Sequence, residues 1–432
     1  MEPYVRSGAA VGLRWAAVGV GLLAVHWGVS LGVRPVLAYG LAHLAVLGLL
    51  WLTPRLAVGQ VSFRRAMSPG ACEEDLVPVR FELRNEGRWP LFQPELADRF
   101  TPDELPRRLV GVSPLLPARS RAEASYQGRC SAKRGVYAIG PATLHLSCPL
   151  GLFGVGLREE QPRSLTVYPA LVDAAGLLEG GGGAPGEGGR APREVGAGDV
   201  ALAVREYRPG DALRRIHWPS SARRGRLSIL DYERQVVRQA AIFLDLSRAS
   251  LRGLGRQSTL EVAVRTAASV AQAHLAQGDR VSLEGEDLHV PAGRGDAHLC
   301  ELLARLALAK PSGRRRLSSV LRERAPSLRG GQAVVVVVAE AQADQDDLLE
   351  VCSGLLARGC RLTVLLLDPA SFPLLREQSR ELAERSAYAL ADALLGRGAR
   401  VHLLRAGQAL GEALNAPYAG RPKITIAPEM LG

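Results

Sequence analysis

Lysine is almost absent from this chain: of its 54 basic residues, only Lys133, Lys310 and Lys423 are lysine. Positive charge is carried by guanidinium, which grips phosphates and carboxylates with paired hydrogen bonds. A GC-rich genome produces the same bias, so the excess alone names no ligand. Aromatic residues are sparse, at 5%. The six cysteines (Cys72, Cys130, Cys148, Cys300, Cys352, Cys360) are scattered and form no C-x-x-C pair. That excludes a disulfide scaffold and a zinc ribbon, and leaves thiols in a reducing compartment. No G-x-S-x-G elbow frames a serine nucleophile. The run GGGGAPGEGG lacks the strand, the G-K-[ST] and the helix of a phosphate loop.

Acidic and basic residues are missing altogether from Trp15–Val33 and Pro35–Leu52. Each stretch approaches the roughly 20 apolar residues of a bilayer-spanning helix. Residues 1–57 are therefore read as a transmembrane helical hairpin, with Arg34 alone at its turn. Arg6 and Arg14 precede the first span, and Arg55, Arg64 and Arg65 follow the second. By the positive-inside rule both termini are cytoplasmic, which makes a multi-pass protein of the cytoplasmic membrane. His26 and His43 fall inside the spans with no acid beside them, and are read as packing residues.

Residues 58–172 alternate apolar and polar residues in short runs broken by Gly and Pro, as in LVPVRFELRNEG. That pattern predicts an all-β, sandwich-like domain. Residues 173–199 are glycine-rich and read as a linker. From residue 236 to 420 apolar strands such as AAIFL and VVVVV alternate with helical periods. This is the pattern of a doubly wound α/β domain, with a parallel sheet covered on both faces. Its functional edge lies at the carboxyl ends of the strands. Residues 421–432 are a tail.

FLDLSRAS, Phe243–Ser250, resembles the opening of a von Willebrand factor type A domain. The resemblance implies a divalent cation, Mg²⁺ or Mn²⁺, held by a D-x-S-x-S loop, a threonine and a later aspartate. Asp245 and Ser247 match the first two positions and are the candidate metal residues. The second serine position holds Ala249. The later aspartate is replaced by Ala339 and Glu340, and the threonine loop reads KPSGRRRLSS. The site is therefore read as degenerate, with Asp245 and Ser247 capping the turn that follows, and no cofactor is expected.

Residues 200–235 carry the most specific pattern, built on Arg205, Tyr207, Pro209, Gly210, Asp211, Arg214, Trp218, Ser221 and Arg223. Pro209-Gly210 signals a turn, and Asp211 stands among arginines that can hold a carboxylate between them. Trp218 offers an apolar surface for a clamp between parts of the fold, or for a partner. Nine arginines face four acids between Arg205 and Arg238, a surface that steers acidic partners. Ser220 and Ser221 lie near His217, but proximity in sequence does not make a triad. No nucleic-acid module is present, and no nucleic-acid partner is expected.

Together with RGVYAIGP and PLGLF, this pattern resembles the family called domain of unknown function 58 over almost the whole chain. One departure is Cys148, where that family has an aspartate before its PxGLF turn. The resemblance implies partnership with a MoxR-type AAA+ ATPase. The resulting expectation is a non-enzymatic, membrane-anchored adaptor acting in the assembly or maturation of a protein complex. The alternative is a metal-dependent binding module or hydrolase using Asp245 and Ser247.

Overall fold

The computed structural model describes residues 8–159, 161–179, 195–207, 216–233, 238–311, 313–339, 344–373 and 377–420. The chain divides into two units, Met1–Ala170 with Leu306–Leu308, and Leu171–Arg305 with Ala309–Gly432.

The first unit opens with helices α1 (Gly8–Ser30) and α2 (Arg34–Val58). Both are long and apolar enough to cross a membrane by length and composition. The turn is not Arg34 alone. It runs from Leu31 to Val33, with Gly32 in the left-handed region at φ 66°. Arg34 begins α2, and Pro35 fits the first helical turn, where no amide donor is needed. The helices meet through glycines. A Cβ on Gly40 would stand 2.7 Å from the Val25 backbone nitrogen, and one on Gly21 would stand 2.6 Å from the Leu44 side chain. His43 Nε2 lies 3.0 Å from the Ala17 carbonyl, so this histidine ties the pair together.

The β part of this unit comprises β1 (Val61–Ala66), β2 (Gly70–Cys72), β3 (Leu76–Asn85), β4 (Leu91–Arg99), β5 (Arg107–Gly111), β6 (Leu115–Leu116), β7 (Arg121–Arg129), β8 (Gly135–Ile139), β9 (Thr143–Ser147), β10 (Gly154–Arg158) and β11 (Arg163–Tyr168). They form sheets in the orders β1-β3-β7, β10-β9-β4-β5 and β2-β11-β8, with β6 beside β4. All pairs are antiparallel except β2 with β11, which run parallel. Alternation along β3 sends Val77, Val79, Phe81 and Leu83 into one core with Leu96, Leu144, Leu146 and Leu165.

A buried ion pair crosses this core. Arg65 Nη2 lies 2.5 Å from Asp98 Oδ1, with both side chains out of water. Arg65 also donates to the Ile139 carbonyl, and the Tyr126 hydroxyl donates to Asp98 Oδ2 at 2.6 Å. At the PLGLF turn, the Cys148 sulfur accepts the Phe153 N–H at 3.4 Å, taking the acceptor role expected of a carboxylate. Arg14 of α1 donates to the Leu152 carbonyl of this turn and lies over the Phe153 ring.

The second unit contains α3 (Ala175–Glu179), β12 (Val195–Glu206), α4 (Trp218–Arg224), β13 (Ser228–Glu233), β14 (Gln239–Leu244), α5 (Thr259–Ala276), β15 (Arg280–Glu284), β16 (His289–Gly293), α6 (Asp296–Leu308), α7 (Leu317–Arg324), β17 (Ala333–Ala339), α8 (Gln345–Ala357), β18 (Arg361–Leu367), α9 (Glu377–Gly396), β19 (Arg400–Leu404) and α10 (Leu410–Asn415). Within the stretch read as linker, residues 180–194 lie outside the described residues. Its ends are structured: α3 follows Val172, whose N–H donates to Ser269 Oγ, and β12 begins at Val195. Leu177 and Ala174 bury their side chains, which offsets the cost of ordering this part of the segment.

The main sheet has the order β16-β15-β14-β17-β18-β19. All strands are parallel except β16, which returns antiparallel from β15. Val334, Val336 and Val338 pack with α7, α8 and α9 on one face, while Val335 and Val337 are buried on the other. Helix α5 packs against β14, β15 and β17. It starts at an N-cap, Ser258, whose hydroxyl accepts the Glu261 N–H. The strand order reverses direction between β14 and β17, so their carboxyl ends form the crevice where ligands enter such sheets.

Candidate functional site

Asp245 follows the last residue of β14 at this crevice. Its Oδ1 accepts the Ser247 N–H at 2.9 Å, and Ser247 Oγ accepts the Ala249 N–H at 3.2 Å. Both side chains therefore cap the turn beyond the strand, as the sequence predicts. The loop before α7 runs alongside: Gly313 donates to the Leu246 carbonyl at 3.1 Å, and Arg248 Nε donates to Pro311 at 3.0 Å. A Cβ on Gly313 would stand 2.9 Å from the Leu246 carbonyl oxygen, so this close approach requires glycine.

The two loops and the start of α8 enclose a pocket of about 140 Å³, lined by Asp245, Ser247, Ser250, Arg316, Ala339 and Asp344, among others. Burial pushes the Asp245 carboxyl up to about 6, opposed by hydrogen bonds from the Ser250 hydroxyl and the Ser247 and Ala339 amides, and assisted by the nearby charge of Asp344. The Ser318 hydroxyl donates to Asp344 Oδ1.

Sequence reasoning found Asp245 and Ser247 and missed Ser250, Ser318 and Asp344. Ser250 is one place beyond the expected serine. Asp344 is five places beyond Ala339, after a segment (340–343, including Glu340) outside the described residues. No fixed spacing reveals them: the fold brings Ser250 and Asp344 to the pocket, and Ser318 of α7 donates to Asp344. The donors are all oxygen, the type that suits Mg²⁺ or Mn²⁺. Among the described residues no group of three or more His, Cys, Asp and Glu could hold a metal. Hydroxyls would have to complete any cation site here.

The signature segment is split by the described residues. Pro209, Gly210, Asp211 and Arg214 lie outside them. Arg205 pairs with Ile229 where β12 and β13 form their own two-stranded sheet, and the Tyr207 N–H reaches the Leu227 carbonyl at 2.8 Å. His217 is not in a strand; it is the N-cap of α4, and its Nδ1 lies 2.7 Å from Ser220 Oγ one helical turn on. Ser221 is the fastener: its hydroxyl donates to the His217 carbonyl and accepts the Ser228 N–H at 2.9 Å, joining α4 to β13. Gly225, in the left-handed region, ends α4 between them. Trp218 does not serve as a buried clamp: it is 67% exposed. Pro219 starts the helix with Trp218 at its first position, facing solvent. Arg223 lies exposed in the last turn.

Comparison with known proteins places these residues in context. The uncharacterized protein YeaD of Bacillus subtilis (strain 168) is 28% identical over 228 residues, which cover 52% of this chain and 51% of that protein. The chain thus spans about half the length of this curated relative. Among solved structures, the GH20 exo-β-N-acetylglucosaminidase of Vibrio harveyi shares 10% identity over 80% of this chain and 75% of its own, with a TM-score of 0.16. An inactive mutant of that enzyme gives 11% identity, the same coverage and a TM-score of 0.17. Scores this low carry no argument. The signature segment and most of the main sheet, residues 203–410, match the family model described as "Protein of unknown function DUF58".

Proposed function

We propose that this chain is a membrane-anchored, cytoplasm-facing adaptor that works with a MoxR-type AAA+ ATPase in assembling or maturing a protein complex. The observation that carries the reading is Trp218, an indole exposed at the start of α4, a helix whose last turn carries Arg223 and Arg224. Exposed Trp with Arg is the composition of an interface hot spot. The apolar helix pair supports the anchor: it leaves Trp15, Leu22, Leu23, Trp27 and Leu49 exposed, surface that lipid would cover. The main sheet is read as a von Willebrand factor type A-like domain, supported by Asp245 and Ser247 at the reversal of strand order.

The test is an affinity capture of the tagged chain from detergent-solubilised membranes, analysed by mass spectrometry. An AAA+ ATPase retained by wild type and lost with Trp218→Ala, Arg223→Ala supports the reading. Its absence in every nucleotide state contradicts it.

A second reading, divalent-cation binding at the Asp245 pocket, is favoured by one observation. Ser250 and Asp344 line the pocket and supply a hydroxyl and a carboxylate that the sequence pattern lacks. In that case Asp245 and Asp344 would hold the ion, and the ion would supply a docking point for a partner's carboxylate. Calorimetry with Mg²⁺ and Mn²⁺ decides it: heat that vanishes in Asp245→Ala supports this reading, and no heat in wild type excludes it.

A further inference from the structure

We propose that the opposite, amino edge of the six-stranded sheet holds a binding site for a small oxyanion with an apolar body, gripped by Arg238, Arg361 and Arg400. The register puts these side chains together. Ala240 of β14 pairs with Ala333 of β17, Ala333 with Arg361 of β18, and Thr363 with Arg400 of β19. Paired residues and residues two apart point to the same face of a sheet. Arg361, Thr363 and Arg400 therefore share a face with Ala333, Val335 and Ala240, and Arg238 lies two residues before Ala240. It is the face turned away from the cluster around Val334, Val336 and Val364.

At this corner lies a cavity of about 310 Å³, which all three arginines line. Leu177 and Leu178 of α3 and the end of α5, with His274 and Gln277, complete its walls. The volume is at the lower end of the roughly 300–1,000 Å³ typical of small-molecule sites. Asp279 is the sole acid in the lining, and it is taken by His274 Nδ1 at 2.8 Å. Arg400 Nη1 donates to the Leu177 carbonyl at 2.7 Å and Arg361 Nε to the Gly331 carbonyl at 3.3 Å. These contacts orient the two guanidiniums and leave their other nitrogens for a ligand. Arg238 is exposed and has no side-chain partner among the described residues. Three guanidiniums beside leucine and valine suit a phosphate or carboxylate head on a ring or short chain. The site stands whether or not the ATPase reading holds, because it involves neither Trp218 nor the Asp245 pocket. Strand β18, seven residues long, separates the two edges by about 20 Å.

The test is calorimetry on the full chain in nanodiscs, with phenyl phosphate, benzoate, inorganic phosphate and phenol as probes. The expected result is saturable binding of phenyl phosphate or benzoate, tighter than inorganic phosphate, with no binding of phenol. Arg361→Gln with Arg400→Gln should weaken it about tenfold or more. Arg238→Gln should also weaken it, at unchanged melting temperature because that side chain is exposed. Asp245→Asn should leave it intact. Absence of saturable oxyanion binding at millimolar concentration overturns the proposal. So does binding that survives Arg238→Gln in folded protein, or that is lost in Asp245→Asn.

Discussion

Ser318 donates its hydroxyl to Asp344 Oδ1 at 2.5 Å, joining residues 26 positions apart. Asp344 lines the same pocket as Asp245 and raises its pKa. The crevice at the reversal of strand order therefore gathers two carboxylates, one of which holds its proton unusually well. A site of that kind should respond to pH, and its response is measurable.

Asp245 should make the fold less stable as pH rises. Its folded pKa is about 6 against an ordinary value of 3.8, so the native state binds the proton more tightly than the unfolded chain. The stabilisation is complete below pH 3.8 and is lost as pH climbs through about 6. The shift of roughly two units corresponds to about 3 kcal/mol. Denaturant melts of wild type and Asp245→Asn should differ most in their slope between pH 4 and 6, with the asparagine variant the flatter. Parallel curves would show that Asp245 titrates normally.

Removing one partner of the Arg65–Asp98 pair should be costly. Both side chains are fully buried, so Asp98→Ala leaves a guanidinium in the β core with Glu159 and the Ile139 carbonyl as its remaining partners. The expected loss is about 3–5 kcal/mol, read as a fall in the melting midpoint of the β unit. A loss under 1 kcal/mol would mean that water reaches this core.

Gly40 sets how closely α1 and α2 approach. A leucine there would drive its Cβ into the Val25 backbone, as at small-residue contacts between membrane helices. Cysteines placed at positions 21 and 44 should crosslink readily in the parent chain and poorly with Gly40→Leu. Equal crosslinking would show that the helices do not depend on this contact.

Trp218→Ala should leave the unfolding free energy within about 0.5 kcal/mol of wild type, because the indole is on the surface. Ser221→Ala should cost more, about 1–3 kcal/mol, since it strands the buried Ser228 N–H. The reverse order would restore Trp218 as a structural clamp.

The legible parts of the fold are those with strong periodicity. The runs AAIFL and VVVVV read as strands buried on both faces, and the helical period from Thr259 to Gln277 reads as a helix; β14, β17 and α5 lie there. The Asp245–Ser247 turn was legible because side-chain capping is local. Features set by tertiary contact were not. The exposure of Trp218 depends on where Pro219 starts α4. The parallel pairing of β2 with β11 joins segments nearly 100 residues apart. Asp344 reaches the pocket through a segment whose length no motif fixes, and the three arginines of the amino edge converge only once the strand register is known.

The adaptor claim is tested most directly by titrating a purified MoxR-type ATPase against the full chain in nanodiscs, with ATP and with ADP. The account predicts saturable binding that Trp218→Ala with Arg223→Ala weakens at least tenfold while the melting temperature holds. No binding in either nucleotide, or binding indifferent to both substitutions in folded protein, would contradict it.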